Sequence, residues 1–211
     1  MKFLTALLIF LSLGTLYAQG EYIEKGQNGY GITLGGGYQP KILSIGGTAA
    51  VSNSGIVDFG VGYSYLFGEK DTSEFKSTST IITPFAGVHI MKQSDTNPVS
   101  LSARILFNIH RFTTKDETGQ LSVGSWSIGA TVFHRFEVSQ TFQIQPFAAL
   151  SYFRPERFPG YEAPSMIPVF DAALALITKK GETSKIILKP SVSFSTQETI
   201  YSLSFEFVDL L

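Results

Sequence analysis

The sequence predicts an all-β fold: a single antiparallel up-and-down barrel that spans a bilayer, with ten strands, or eight if two weak runs merge. Three observations carry this. Apolar and polar residues alternate with a period of two over most of the chain, which in a strand places them on opposite faces. The alternating runs are long, near the 9 to 11 residues that a tilted strand needs to cross a bilayer, against about 5 to 6 in ordinary globular strands. Beyond the N-terminus no apolar stretch approaches the ~18 residues of a spanning helix. A chain that must satisfy its backbone polar groups inside lipid without helices has one remaining solution, the closed barrel.

Residues 1–18 hold Lys2, an apolar run from Phe3 to Leu13 and a small residue, Ala18, before Gln19. This is the layout of a secretory signal peptide cleaved after Ala18. Residues 19–28 read as a polar, flexible leader and 29–211 as the barrel domain. The chain contains no cysteine, which excludes a disulfide framework and a lipid-acceptor cysteine. Charged residues make up 16% and the formal net charge is −1, so nothing in the composition attracts nucleic acid.

Tyr30, Ile32, Leu34 and Tyr38 alternate with Gly31, Thr33, Gly35 and Gly37 in a first strand, and Leu43, Ile45, Ala49 and Val51 outline a second. A tight turn at 52–55 leads to a third outward face, Val57, Phe59, Val61, Tyr63, Tyr65 and Phe67. A polar loop at 68–79 follows. Ile82, Pro84, Ala86, Val88 and Ile90 carry the fourth strand, whose proline lacks a ladder donor and belongs at an edge or a bulge. Strands five and six form the clearest hairpin: Leu101, Ala103, Ile105, Phe107 and Ile109 answer Trp126, Ile128, Ala130 and Val132 across a loop at 115–120. Phe142, Ile144, Pro146, Ala148, Leu150 and Tyr152 give the seventh strand, and a proline-containing loop at 154–168 separates it from Phe170, Ala172, Leu174 and Leu176. Two last strands alternate through Ile186, Leu188, Val192 and Phe194, then Tyr201, Leu203, Phe205 and Phe207.

The two longest connections, 68–79 and 154–168, follow strands three and seven and so lie at the same end, opposite to both termini. That is the asymmetry of transmembrane barrels, with long external loops and short internal turns. Outward aromatics fall into two bands, Tyr38, Tyr65, Phe67, Trp126, Tyr152, Phe170 and Tyr201 at one end and Tyr30, Phe59, Phe136, Phe142, Phe205 and Phe207 at the other. Such bands suit two membrane interfaces.

On this pattern the mature chain resembles the small bacterial outer-membrane barrels of the OmpA-like and OmpX-like kind and similar uncharacterised outer-membrane β-barrels. The resemblance implies residence in the bacterial outer membrane, delivery by the barrel-assembly machinery and a monomeric state. The chain departs from the pattern at its end, where Phe207 is followed by Val208, Asp209, Leu210 and Leu211 instead of closing on an aromatic.

The inward face is expected to hold Asp58, Arg104, Arg135, Glu137, Lys189 and Glu206 as a polar lumen network, with His89, Asn108 and Asp171 nearby. Folding the last hairpin about Gln197 and Glu198 places Lys189 opposite Glu206 as an inward ion pair. The signs are nearly balanced, which fits a paired core better than the single-sign ring of an ion-selective pore. Folding the central hairpin sets His110 opposite Ser125, with Asp171 across the lumen. These are the ingredients of a hydrolase acting on envelope lipid, but serines line this face throughout, and a hydrogen-bonded lumen histidine is the plainer reading. Arg154, Arg157, Phe158 and Tyr161 on the long loop are candidates for surface binding. His89, His110 and His134 sit on separate strands without ligand spacing, so neither metal nor cofactor is expected. The functional expectation is a non-enzymatic barrel with a side-chain-filled lumen, serving envelope integrity or surface binding. The alternatives are a narrow conduit for a small or hydrophobic solute and the Ser125, His110 and Asp171 hydrolase.

Overall fold

A computed structural model of the chain describes residues 19–39, 42–68, 75–114, 120–155, 165–196 and 199–211. After a short 3-10 turn, Gln19–Tyr22, come β1 (Gly29–Gln39), β2 (Ile42–Asn53), β3 (Val57–Gly68), β4 (Phe75–Met91), β5 (Ser100–Thr114) and β6 (Gln120–Phe133). The short β7 (Phe136–Glu137) precedes β8 (Phe142–Pro155), β9 (Ile167–Lys180), β10 (Ser184–Ser195) and β11 (Thr199–Leu210). Each strand pairs antiparallel with its sequence neighbour, and β1 pairs with β11. β6 pairs with β8 directly, and β7 continues the same stave after a break at His134 and Arg135. The result is a closed barrel of ten staves with no free edge, so every ladder group on the wall has a neighbour.

The alternation in sequence becomes an outside and an inside. Along β1, Ile32 and Leu34 are 49% and 62% exposed while Thr33 between them is 0%. Ile45, Val61, Ile105, Ile128, Leu150, Leu188 and Leu203 continue an apolar belt around the barrel. Tyr38, Phe67, Tyr152, Phe170 and Tyr201 are exposed toward one rim, and Phe59, Phe136 and Phe205 toward the other. Apolar surface this extensive, exposed on every side, marks a face made to be covered.

Prolines in the wall are accommodated one neighbour at a time. Pro84 keeps register with Val61 of β3, while the β4–β5 ladder skips Thr83 and Pro84. Pro190 likewise pairs with Leu203 of β11 and is passed over on the β9 side. In each case one flank of the strand goes without the missing N–H donor, so the barrel stays closed. At the end bearing the termini the turns 54–56 and 181–183 are tight, while 92–99 and 134–141 are longer. Ser54 and Gly55 both have positive φ, 55° and 58°, and Ile56 N–H donates to the Asn53 carbonyl at 3.0 Å. Two left-handed central residues are what a type I′ turn over 53–56 requires, inside a three-residue connection.

The strands are longer than the sequence indicates. β4 begins at Phe75, inside the expected loop 68–79, and β8 runs through Arg154 to Pro155. Two hairpin registers differ by two residues from those expected. Ser204, not Glu206, stands opposite Lys189, and Val123, not Ser125, opposite His110. A shift of two preserves which face each side chain occupies, so inward and outward assignments survive.

The largest correction concerns residues 19–28. The expected flexible leader instead turns into the mouth of the barrel. Tyr22 and Ile23 are fully buried there and pack with Phe133, Phe147, Ala175, Ile177, Ile187 and Val208. Two adjacent apolar residues in an otherwise polar stretch gain more from this contact than from water, each burial contributing about 1.5–3 kcal/mol.

Candidate functional site

The inner chemistry is layered from the end with the short turns upward, and its lowest layer is built around residues 20–24. Strand alternation points Asp58 of β3 and His89 of β4 into the lumen, where His89 Nε2 lies 2.8 Å from Asp58 Oδ2 and both side chains are fully buried. The Gly20 N–H donates to the same carboxylate oxygen at 3.2 Å. A Cβ on Gly20 would collide with both Asp58 and His89. Glycine is therefore required for the close approach.

Three cations from the wall cap the carbonyls of this turn. Lys92, just beyond β4, donates to the Gly20 carbonyl and to the Ile23 carbonyl at 2.8 Å. Lys185 of β10 donates to the Tyr22 carbonyl. Arg135, at the break between β6 and β7, donates to the Glu21 carbonyl at 2.9 Å and to Gln145 Oε1 at 3.1 Å, and it pairs with the Glu24 carboxylate. Gln93 holds Arg135 in turn, accepting from its N–H at 2.7 Å and donating to its carbonyl at 3.0 Å. The Tyr22 hydroxyl accepts from Lys189 at 3.2 Å, and the Tyr22 ring stacks edge-on to Phe147 with centroids 6.2 Å apart.

Burial sets the protonation of the groups in this mouth. Glu21 is buried, and loss of hydration pushes its carboxyl up to about 7 against the opposing pull of Lys189 and Arg104. Desolvation lowers Lys92 to about 8, although Asp58 favours its charged form. At neutral pH both groups sit within reach of titration.

One layer higher, Lys189 of β10 and Glu206 of β11 form an ion pair, with both side chains buried. The pair is diagonal, since Ser204 occupies the facing position and donates to Glu206 Oε1 at 3.3 Å. Arg104 is half-buried in the same lumen and is among the charges acting on Glu21. Glu137 does not join this network. It lies at the solvent rim, accepts from Gln143 Nε2 at 2.9 Å and faces Lys179 at 3.5 Å. Its parity points inward as expected, but β7 reaches beyond the floor of the barrel, so depth and not face removes it. With Glu24, Lys92, Asp95, Phe133 and Arg135 it lines a half-open cavity of about 350 Å³ at this mouth.

Toward the far end the lumen carries hydroxyls, an amide and an imidazole. Thr83 Oγ1 donates to Asn108 Oδ1 at 2.8 Å, Asn108 Nδ2 donates to Ser125 Oγ at 3.3 Å, and His110 Nε2 lies 3.3 Å from that same oxygen. Ser125 and His110 therefore meet, although not as facing residues. Asp171 does not complete a triad: its carboxylate accepts from Ser193 of β10. The group that would orient the histidine is committed elsewhere, and Ser125 also serves Asn108, as in a structural polar core.

Arg154 is exposed at the end of β8, while Arg157, Phe158 and Tyr161 lie outside the described residues. Among the described residues no cluster of three His, Asp or Glu groups could hold a metal ion. Sequence reasoning missed Lys92, Lys185 and the whole of residues 20–24. The available signal was Tyr22 and Ile23 flanked by Glu21 and Glu24, an apolar pair between acids that a solvated leader has no use for.

No protein-family model matches the chain, and no curated sequence does. Solved structures do. The translocator domain of the autotransporter NalP from Neisseria meningitidis is 12% identical, with 88% of each chain covered and a TM-score of 0.52. The β domain of the Bordetella autotransporter BrkA is 10% identical over 88% of this chain and 99% of that one, with a TM-score of 0.51. An outer-membrane channel from Pseudomonas putida F1 is 8% identical over 94% and 97%, with a TM-score of 0.52. At such identities the likeness concerns the fold alone. The chain has the fold of an outer-membrane β-barrel.

Proposed function

We propose that this protein is a non-enzymatic integral protein of the bacterial outer membrane, closed at its short-turn mouth by its own N-terminal segment and contributing to envelope integrity or to surface binding. The observation that carries the reading is the apolar belt of Leu34, Ile45, Ile105, Leu150 and Leu203 around a closed wall. Its side chains meet lipid without backbone cost, and the charged groups are held inside. The chain reaches the membrane with a secretion signal over 1–18 removed after Ala18, is inserted by the barrel-assembly machinery and works as a monomer. Surface contact belongs to the far-end connections from β3 to β4 and from β8 to β9, carried on a rigid scaffold. Commitment of Asp171 to Ser193 argues against the hydrolase. Membrane fractionation joined to a heat-dependent gel shift tests the placement: a compact, heat-modifiable band in the outer-membrane fraction is expected, and a freely soluble periplasmic protein overturns it.

A conduit for a small solute is the second reading, favoured because residues 20–24 are fastened in the mouth by side chains and not by strand pairing. Single-channel recording in a planar bilayer separates the two. Discrete conductance steps support the conduit, and their absence supports the closed barrel.

A further inference from the structure

The barrel mouth treats residues 20–24 as a ligand. None of these residues adds to a ladder, and all four carbonyls from Gly20 to Ile23 accept from Lys92, Arg135 or Lys185. The segment also brings two carboxylates, Glu21 inside and Glu24 on Arg135. Its tether is short: Gly26, with φ at 91° and open space around its Cα, hydrogen bonds to the Ser54 carbonyl before β1 begins.

Removing the segment changes the charge of what it covers. The wall groups that touch it or its partners are Lys92, Arg135, Lys185 and Lys189 against Asp58 and Glu206. Four cations face two carboxylates there, with Arg104 deeper in the lumen and Asp95 and Glu137 at the rim, and Asp58 also has His89 beside it. Glu24 offsets part of that surplus only while the segment is docked, whereas Glu21, whose neutral form burial favours, adds little charge. Lysine and arginine donors already arranged around carbonyl and carboxylate oxygens form the donor set that recognises small anions.

We infer that residues 20–24 are a displaceable occupant of a cationic vestibule, and that this vestibule binds small multivalent anions bearing carboxylate or phosphate groups when the segment leaves. The anion and the segment compete, because the same Lys92, Arg135 and Lys185 donors serve both. A ligand that binds only the open mouth shifts the population toward it.

The chain has no cysteine, so a single engineered one reports only on itself. Ile23 is fully buried in the docked state. Maleimide labelling of full-length Ile23→Cys in detergent micelles therefore reads undocking. The expected result is that citrate raises the labelling rate saturably, by about fivefold or more, whereas magnesium chloride at matched ionic strength does not. Pyrophosphate in a separate arm tells phosphate from carboxylate preference, and a rise with either anion supports the site. Equal rises in citrate, pyrophosphate and magnesium chloride mean simple charge screening and overturn it. In a second variant, Gly20→Val with Ile23→Cys, the added side chain meets Asp58 and His89 and labelling is expected to be fast without anion. Calorimetry then reads citrate and pyrophosphate binding directly. Fast labelling with no heat of binding for either anion overturns the anion site, and protection that persists in every condition overturns displacement.

Discussion

Glu21 is the residue whose chemistry most directly controls the mouth. Its carboxyl is raised from an ordinary value of 4.5 to about 7 by burial, with Lys189 and Arg104 pulling down and Glu206 and Asp58 pushing up. The neutral form is favoured when docked, so its contribution to docking is complete below the undocked value of 4.5. That contribution is lost as pH rises through about 7, a swing of roughly 3 kcal/mol. Lys92, lowered to about 8, begins to lose its charge only at the upper end of that window and contributes a smaller slope of opposite sign there. Labelling of Ile23→Cys, taken as a ratio to an exposed single-cysteine control so that the rise of the thiolate itself with pH cancels, is expected to accelerate between pH 5 and about 7.5. Glu21→Gln added to Ile23→Cys should flatten this ratio, and a ratio already flat with Glu21 in place would contradict the assignment. The buried pair is a second residue-scale test. Lys189→Met strands the Glu206 carboxylate and is expected to destabilise the folded barrel by about 3–5 kcal/mol, whereas Lys189→Met with Glu206→Gln should recover most of the loss. Refolding titrations in urea with detergent measure both. If the double variant is no better than the single one, the pair does not act as a unit.

At the scale of the strand, what decides stability is which face a side chain occupies. Ile105 lies on the exposed face of β5 and Leu106 on the buried one. Ile105→Arg is expected to cost about 2–4 kcal/mol in lipid, the cost of a charge on the outer face near the bilayer centre. The same refolding titrations read it, and a neutral effect would place Ile105 away from lipid. Faces were legible in the sequence because a period of two survives any error in strand ends. Registers were less so. The Lys189 and His110 pairings came out two residues away from expectation, since an even shift leaves every side chain on its face and hydropathy carries no penalty for it. Glu137 was assigned to the correct face at the wrong height, because sequence parity says nothing of where a stave passes the barrel floor.

For the whole molecule, closure was legible and occupancy was not. Strand length, absence of long apolar runs and the segregation of Asp58, Arg104, Lys189 and Glu206 from lipid lead to a closed ten-stave wall by local rules alone. That Gly20 seats on Asp58 depends on contacts 38 residues apart in sequence, and Lys185 reaches the Tyr22 carbonyl across 163. Only the finished barrel brings such groups together. The third member of the catalytic alternative shows the same dependence: Ser125 and His110 are brought within 3.3 Å, while the strand order sets Asp171 beside Ser193. A barrel in a bilayer keeps lipid outside and polar chemistry inside. Spin labels placed singly from Ser102 to Ile109 on β5 of the reconstituted protein test this most directly. Accessibility to membrane-dissolved oxygen is expected to alternate with a period of two and to peak at Ala103, Ile105 and Phe107. Oxygen accessibility without alternation, or water-soluble quenchers reaching Ile105 and Phe107 as readily as an exposed turn, would contradict it.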